Sequence, residues 1–351
     1  MPEAASRLVS VLTPMYNTGK YVHRLLDSVL AQDYPRIEMI VVDDGSTDDS
    51  REVVEGYMDR FSARGYALRY VYQDNAGQSV AIRNGLPLVT GEYLAWPDSD
   101  DFYAADNAIS RMVSVLESSG GEFQMVRTQV THVEDGTLRP FRVDGLLAHE
   151  EEAPSLFDDC LLARNDFFYC AGSYLVRTAV LKELTGFDIY TEKNAGQNWQ
   201  LLLPVLYHYR CKTILEPLYT VVERNTSHSR GQYRGYDELL VKYDAYVRSQ
   251  TETLKRIKGF PEDLLPVYTE RILEQNRRRL YRAAIVDNRR REALACLPAC
   301  KTEMGKREYR AMNLLLRLPG GTCLINAYTR VHHFLHLVKK RLSSLFTHHG
   351  Q

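Results

Sequence analysis

The sequence predicts an α/β fold: a mostly parallel sheet with helices on both faces, followed by a helical C-terminal extension. Three observations carry this. Short apolar runs alternate with helical spacings between residues 8 and 96. Each run closes on a loop rich in Asp, Asn, Gly or Ser. From about residue 235 onward nearly everything has helical periodicity.

The elements follow in order. Leu8-Val-Ser-Val-Leu-Thr13 reads as a strand ended by Pro14. Residues 20–32 carry apolar side chains at 22, 25, 26, 29 and 30, one face of a helix. Ile37-Glu-Met-Ile-Val-Val42 is a second strand, leading into Asp43-Asp-Gly-Ser-Thr-Asp48. Ser46, Thr47 or Asp48 could cap a helix running to Phe61. Residues 68–72 form a third strand, 78–88 a helix opened by Asn75-Ala-Gly77, and 92–96 a fourth strand. Beyond these, 105–118 reads as helix, and 123–133 with 138–143 as a hairpin across Glu134-Asp-Gly136. A second set of polar residues lies in 188–209, ahead of a helix. The extension divides into helices at 236–256, 262–286, 290–296 and 303–317, with Pro319-Gly-Gly321 as a break. No internal repeat is present.

The chain of 351 residues suggests two or three structural units. At 44% hydrophobic and 25% charged it has the balance of an ordinary soluble globular protein. No apolar run reaches the roughly 18 residues of a spanning helix. The N-terminal segment lacks the apolar core of a signal peptide. Cys160, Cys170, Cys211, Cys296, Cys300 and Cys323 are scattered, and no paired His or Cys completes a zinc site around 296 and 300. They read as reduced, mostly buried thiols of a cytoplasmic protein. Charge is unevenly placed. Residues 271–351 hold 17 Lys and Arg against 5 Asp and Glu, a net +12. The whole chain is at −1, so residues 1–270 carry −13. An acidic globular part with a basic helical extension suits contact with an anionic surface.

The chemistry concentrates in the loops after the strands: 13–17, 43–48, 73–77 and 97–101. In a parallel sheet these lie at one edge, where ligands bind. Trp96-Pro-Asp-Ser-Asp-Asp101 sets three carboxylates at a strand exit, where they repel and call for a cation or strong donors. Asp98 and Asp100 have the Asp-x-Asp spacing by which a hard cation bridges carboxylate to diphosphate. The plain alternative is an acidic turn capping the next helix. A uridine diphosphate would find an acceptor for its N3–H at Asp43 or Asp44, a ribose partner at Asp98 and a cation ligand at Asp100. Arg83 could pair with phosphate. Asn75 and Gly77 open a helix whose N-terminus favours negative charge. Each of these residues also has a dull reading as turn, cap or surface group.

Four ordered motifs resemble those of the family-2 inverting glycosyltransferases of the GT-A fold. They are Val11-Leu-Thr-Pro-Met-Tyr-Asn17, Ile40-Val-Val-Asp-Asp-Gly-Ser-Thr-Asp48, Asn75-Ala-Gly-Gln-Ser79 with Ala81-Ile-Arg-Asn-Gly85, and Gly91-Glu-Tyr-Leu-Ala-Trp-Pro-Asp-Ser-Asp-Asp101. The resemblance covers roughly 6–230 and implies a GT-A, Rossmann-like domain over 1–232. Its nucleotide-binding half would be 1–102 and its acceptor half 103–232, with 233–351 as the helical region. It implies that Thr13, Pro14 and Tyr16 line the base site, with Asp44 in direct contact. Asp98 would serve the ribose, Asp100 the Mn²⁺ or Mg²⁺ on the diphosphate, and Arg83 the nucleotide, with Ser99 among the donor-binding residues. His228, in Asn225-Thr-Ser-His-Ser-Arg230, aligns loosely with a loop that can close over the diphosphate or metal. The implied donor is a nucleotide sugar, UDP-sugar first. The implied acceptor is a saccharide or a polyprenyl-linked saccharide.

The acceptor half departs from the family pattern. Gln197 and Asn198, in Gly196-Gln-Asn-Trp-Gln-Leu-Leu-Leu-Pro204, stand where many members carry Glu-Asp, whose Asp is the general base. An amide takes no proton at neutral pH. Either Glu192 or Asp188 is the base, or Asn198 only orients the acceptor, or the transferase is impaired. The same Gly-Gln-Asn-Trp-Gln stretch resembles a branch of bacterial polysaccharide transferases, which favours activity with another base. A non-catalytic nucleotide-sugar-binding or scaffold protein is the alternative. A nucleotidyltransferase would want a Gly-rich phosphate loop, of which Thr13-Pro-Met-Tyr-Asn-Thr-Gly19 is a poor version.

Residues 323–346 place Leu324, Ile325, Tyr328, Val331, Phe334, Leu335, Val338, Leu342, Leu345 and Phe346 on one face and Arg330, Lys339, Lys340 and Arg341 on the other. Interfacial helices share this pattern, and it fits an anionic lipid surface; the inner face of the plasma membrane is what the family resemblance, with its polyprenyl-linked acceptor, implies. A final helix packed on its neighbours fits equally. The clusters at 277–279 and 289–291 carry no nucleic-acid recognition motif, so no nucleic acid is expected. Oligomeric state is open.

Overall fold

The computed structural model describes residues 7–144, 155–165, 167–193, 195–224 and 235–329. The chain begins β1 (Val9–Met15), α1 (Gly19–Leu30), β2 (Ile37–Asp44), α2 (Ser50–Glu55), α3 (Met58–Arg64), β3 (Ala67–Gln73), α4 (Gln78–Gly85) and β4 (Tyr93–Ala95). β1 pairs in parallel with β2 and β4, and β2 with β3. β1 and β2 are buried along their whole length, which is why they read as continuous apolar runs. α1 buries Val22, Leu25, Leu26 and Val29, the expected helical set.

Three local expectations change. Pro14 does not end β1; the strand continues to Met15. β4 pairs only with Val9 to Val11, so Pro14 lies beyond that ladder and its missing N–H breaks no bond to β4. The helix expected to reach Phe61 is two short helices broken at Gly56-Tyr57, each burying little: Ser50 and Val54 on one, Phe61 on the other. The helix from Gln78 stops at Gly85, and Leu86–Leu88 is a 3₁₀ turn holding Pro87.

The chain continues through β5 (Phe102–Tyr103), α5 (Ala108–Ser118), β6 (Phe123–Glu134), β7 (Pro140–Asp144), α6 (Phe157–Leu162), β8 (Tyr174–Arg177), α7 (Thr178–Thr185), α8 (Asn198–His208) and β9 (Arg210–Glu223). All strands join one nine-stranded sheet in the order β3-β2-β1-β4-β8-β6-β9-β5, with β7 paired to β6. Its first half is parallel and its second half mixed. β8 runs antiparallel to β4 and β6, β5 antiparallel to β9, and β6 parallel to β9. The expected β6–β7 hairpin is present.

The helical region holds α9 (Tyr236–Arg256), α10 (Leu265–Val286), α11 (Arg290–Cys296) and α12 (Lys306–Arg317). Two compact units emerge: Met1–Gly231 with Asp244–Tyr268, and Gln232–Tyr243 with Thr269–Gln351. The boundaries therefore fall inside α9 and α10. The first unit's core joins β1, β2 and α1 to Val126, Leu175 and Tyr219. The second packs Leu280, Tyr281 and Ala284 against Cys296, Met312 and Leu316. All six cysteines are free thiols; Cys160, Cys296 and Cys300 are buried and Cys323 is exposed. Among the described residues no helix is long and apolar enough to cross a membrane. His228 and most of the basic tail, 330–346, lie outside the described residues.

Candidate active site

The loops at the carboxyl ends of β1, β2 and β4 are lashed together. Asn17, at φ 50°, donates its N–H to Ser46 Oγ (2.9 Å) and accepts the Thr47 N–H at Oδ1 (2.8 Å). Gly19 donates to Asp48 Oδ2 (3.0 Å) and Thr18 Oγ1 to Ser99 Oγ (2.9 Å). These bonds bring the 13–19, 43–48 and 97–101 loops to one place. Within it, Thr13 is fully buried, Ser99 is buried and Tyr16 is half exposed.

Asp43 and Asp44 are both committed within the protein. Asp43 accepts from Ser46 N–H (2.8 Å) and from the Tyr70 hydroxyl (2.6 Å). Asp44 accepts from Ala76 N–H and Gly77 N–H (both 2.8 Å) and from Gln73 Nε2 (2.7 Å). Asn75 Nδ2 donates to the Asp44 carbonyl at 2.9 Å. The negative charge that gathers at the start of α4 is thus Asp44's own. Two glycines make this possible. Gly45 has φ +80°, and a Cβ there would sit 2.8 Å from Asn75 N. Gly77 has φ +103°, and its Cβ would press on Lys193 Cα at 3.3 Å.

The 98–101 segment gathers charge. Asp98 Oδ1 accepts from Gln78 Nε2 at 2.7 Å and, at a long 3.4 Å, from Gln197 Nε2. Burial, then the charge of Asp100, pushes the Asp98 carboxyl up to about 7, against the pull of the Gln197 and Gln78 bonds. Asp101 accepts the Val222 N–H (2.9 Å) and is raised well above the usual range by burial and then by Asp100 and Asp98. Asp100 is ion-paired with Arg224. Arg83 is half-buried in the last turn of α4, with no ion pair among the described residues.

On the other side of Asp98, Gln197 is buried and Asn198 opens α8. The Asn198 amide is occupied: Oδ1 accepts from Trp96 Nε1 (3.4 Å) and Nδ2 donates to the Tyr169 carbonyl (3.0 Å). Glu192 is held to α4 by its backbone, which exchanges bonds with Ser79 Oγ at 3.0 and 3.2 Å. Its carboxylate accepts from Arg248 Nε at 2.9 Å. Asp188 is exposed in the turn after α7.

The oxygens of Asp98 and Asp100 suit a hard divalent cation. Among the described residues no three His, Cys, Asp or Glu form a ready cage for one. Such an ion would be shared between these carboxylates and a phosphate ligand, the usual arrangement for Mg²⁺. Burial first and the charge of Asp100 second raise the proton affinity of Asp98, and a cation would relieve the second of these. Two site residues escaped the sequence reading. Gln78 lay inside a quoted motif with no role assigned. Arg224 is 124 residues from its partner Asp100, and nothing local signals the pairing.

Comparison with known proteins gives the following. A family model described as Glycosyl transferase family 2 matches residues 10–185, half of the chain. The putative teichuronic acid biosynthesis glycosyltransferase TuaG of Bacillus subtilis is 38% identical over 113 residues, covering 32% of this chain and 43% of TuaG. The chain spans less than half the length of the curated relatives it matches. S. aureus TarS 1-349 in complex with UDP-GlcNAc shares the fold with TM-score 0.60 at 19% identity, over 90% of this chain and 82% of that one. The mannosyltransferase PcManGT of Pyrobaculum calidifontis, in complex with GDP-Man and Mn²⁺, does so with TM-score 0.54 at 17% identity, over 93% and 88%.

Proposed function

The chain belongs to glycosyl transferase family 2, and from that membership we propose that it transfers a sugar, with inversion, from a nucleoside-diphosphate donor to a hydroxyl of a growing cell-surface glycan or lipid-linked saccharide. One observation carries this reading. A single carboxylate, Asp98, is bonded from the start of α4 by Gln78 and from the start of α8 by Gln197. The sheet edge read as the donor side and the half read as the acceptor side are joined through this residue in the proposal.

In this reading Thr13, Pro14 and Tyr16 line the base, shaped by Asp43 and Asp44. Asp98 accepts ribose hydroxyls, with Ser99 beside it. Arg83 faces the diphosphate. Asp100 and Asp98, with His228 as a further ligand, would hold Mn²⁺ or Mg²⁺. When bound, that ion would counter the charge growing on the leaving diphosphate. An acceptor hydroxyl attacks the anomeric carbon from the face opposite the nucleotide, and inversion follows. The hydroxyl's proton goes to Glu192, whose backbone is tied to α4 through Ser79 and whose carboxylate is held by Arg248, in preference to the exposed Asp188. UDP is the first nucleotide to try, on the analogy of TarS with UDP-GlcNAc. GDP follows by the same analogy with PcManGT. The basic C-terminal tail would bring the enzyme to anionic lipid carrying the acceptor.

Calorimetric titration with UDP and GDP, in Mn²⁺ and then in EDTA, tests this. Binding strengthened by the metal is the expected result. Failure of both nucleotides under both conditions would overturn the donor-site reading. A second reading, a binding or scaffold protein without turnover, has one observation behind it: the Asn198 amide is spent on Trp96 and Tyr169. Donor binding without hydrolysis or transfer to any saccharide would favour it.

A further inference from the structure

Arg224 follows the last residue of β9 and is aimed at the acidic segment. Two contacts put it there. The Val222 N–H bonds Asp101 Oδ1 at 2.9 Å, strapping the end of β9 to residues 98–101. The Tyr21 ring lies under the guanidinium, 4.3 Å from its centroid. Tyr21 is steadied in turn by a 3.4 Å bond from its hydroxyl to Asp135. Nη2 of Arg224 pairs with Oδ2 of Asp100, and the two side chains are only 13% and 21% exposed. The guanidinium has a donor to spare. Its Nε is buried and finds no acceptor among the described residues. A buried N–H left unbonded is costly, and a phosphate oxygen is the acceptor that a guanidinium fork suits best.

We propose that Arg224 is a donor-site residue: a fixed cation that competes with a divalent metal for Asp100 and donates to a phosphate oxygen of the nucleoside-diphosphate donor. The phosphate half of this rests on the reading of 98–101 as the donor site; the competition at Asp100 stands on the ion pair itself. A metal reaching Asp100 meets a carboxylate whose Oδ2 the guanidinium already holds, so the two cations repel and compete for the same charge. A diphosphate arriving with the metal offers that guanidinium a second anion. Arg224 is thus a positioning residue that couples metal entry to donor entry.

The test uses the full chain and two probes. Mn²⁺ binding without nucleotide is followed by the paramagnetic resonance of the free ion. UDP and GDP binding in EDTA is followed by calorimetry. Arg224→Met should bind Mn²⁺ about tenfold more tightly than the parent and UDP or GDP in EDTA about tenfold more weakly, each change worth roughly one partly buried ion pair. Unchanged or weaker Mn²⁺ binding, in a variant with parental circular dichroism and melting, would overturn the competition. Should Arg224→Met fold poorly, Arg224→Lys carries the test. It keeps the charge and loses the Nε–H, so nucleotide affinity in EDTA should fall while Mn²⁺ affinity holds; unaltered nucleotide affinity would overturn the phosphate contact. If the parent binds neither nucleotide with or without metal, the donor-site reading fails and the phosphate contact with it. The Mn²⁺ measurement still decides the competition at Asp100.

Discussion

At Asp98 one carboxyl is asked to stay ionised beside Asp100 in a poorly hydrated place, and the consequence is a pH dependence with a definite sign. Its folded pKa of about 7 lies above the roughly 3.9 of an unstructured Asp. Between these values the folded chain holds the extra proton, so stability is greatest below the window and falls as pH rises through it, levelling above 7. Asp101, raised by the same burial and charges, acts in the same direction. Asp98→Asn should flatten the melting temperature between pH 4 and 7, read by calorimetric scans. A profile unchanged by that substitution would place the titration elsewhere. Donor binding should run the opposite way, since hydroxyls and a cation both want the ionised form: UDP affinity in Mn²⁺ should rise from pH 6 to 8. Asp100→Ala should remove metal-dependent turnover by at least about 10²-fold while circular dichroism is kept. Normal activity in that variant would sink the metal assignment. For the base, Glu192→Gln should lower kcat by about 10²–10⁴-fold with little change in donor KM, whereas Asp188→Asn should stay near the parent. The reverse result would move the proton acceptor to the turn after α7.

The loop between β2 and α4 works as one element because Asp44 satisfies the N–H groups of Ala76 and Gly77. Gly45→Ala tests that closeness. The new Cβ would meet Asn75 N at 2.8 Å with the backbone at φ +80°, so a loss of about 1–3 kcal/mol in denaturant unfolding is expected. A neutral effect would mean that the loop yields without cost. The same elements explain what was legible beforehand. β1 and β2 are buried along their whole length and announce themselves as apolar runs, β2 closing on Asp43 and Asp44. β9 does not. Its 14 residues carry Lys212, Glu216 and Pro217 in a strand with exposed positions, so neither alternation nor a continuous apolar stretch marks it. β8 is four residues long and too short for any period. At the site, Asp98 and Asp100 stood out because a strand exit with three carboxylates is chemically odd. Arg224 could not stand out, because its meaning lies wholly in a partner brought from another strand. The amides of Gln197 and Asn198 read as a missing base; Gln197 is a donor to Asp98, a role visible only with the carboxylate in place.

Across the whole molecule the charge split is the basis of the lipid contact proposed above. Residues 271–351 carry 17 Lys and Arg against 5 Asp and Glu. In the second unit, Arg307, Arg310, Leu314, Arg317 and Leu318 recur at three- and four-residue steps along and just beyond α12 and are all exposed. Leu324 and Tyr328 are exposed as well. Cations interleaved with apolar side chains are what an anionic lipid surface binds, at about 1 kcal/mol per Lys or Arg near the headgroups. A purely solvated basic face would not need the exposed leucines. The full chain should therefore sediment with vesicles containing phosphatidylglycerol and remain in the supernatant with neutral phosphatidylcholine. Raising salt should weaken the binding, since charges beyond about 10 Å are screened at 0.1 M. Lys339→Glu, Lys340→Glu and Arg341→Glu together should release the protein while UDP binding stays intact, because the proposed donor residues all belong to the other unit. Equal partition onto neutral and anionic vesicles would remove the electrostatic argument. Release that also abolished UDP binding would show that the tail is needed for the fold of the catalytic unit, and the lipid contact would then be lost as an explanation of its charge.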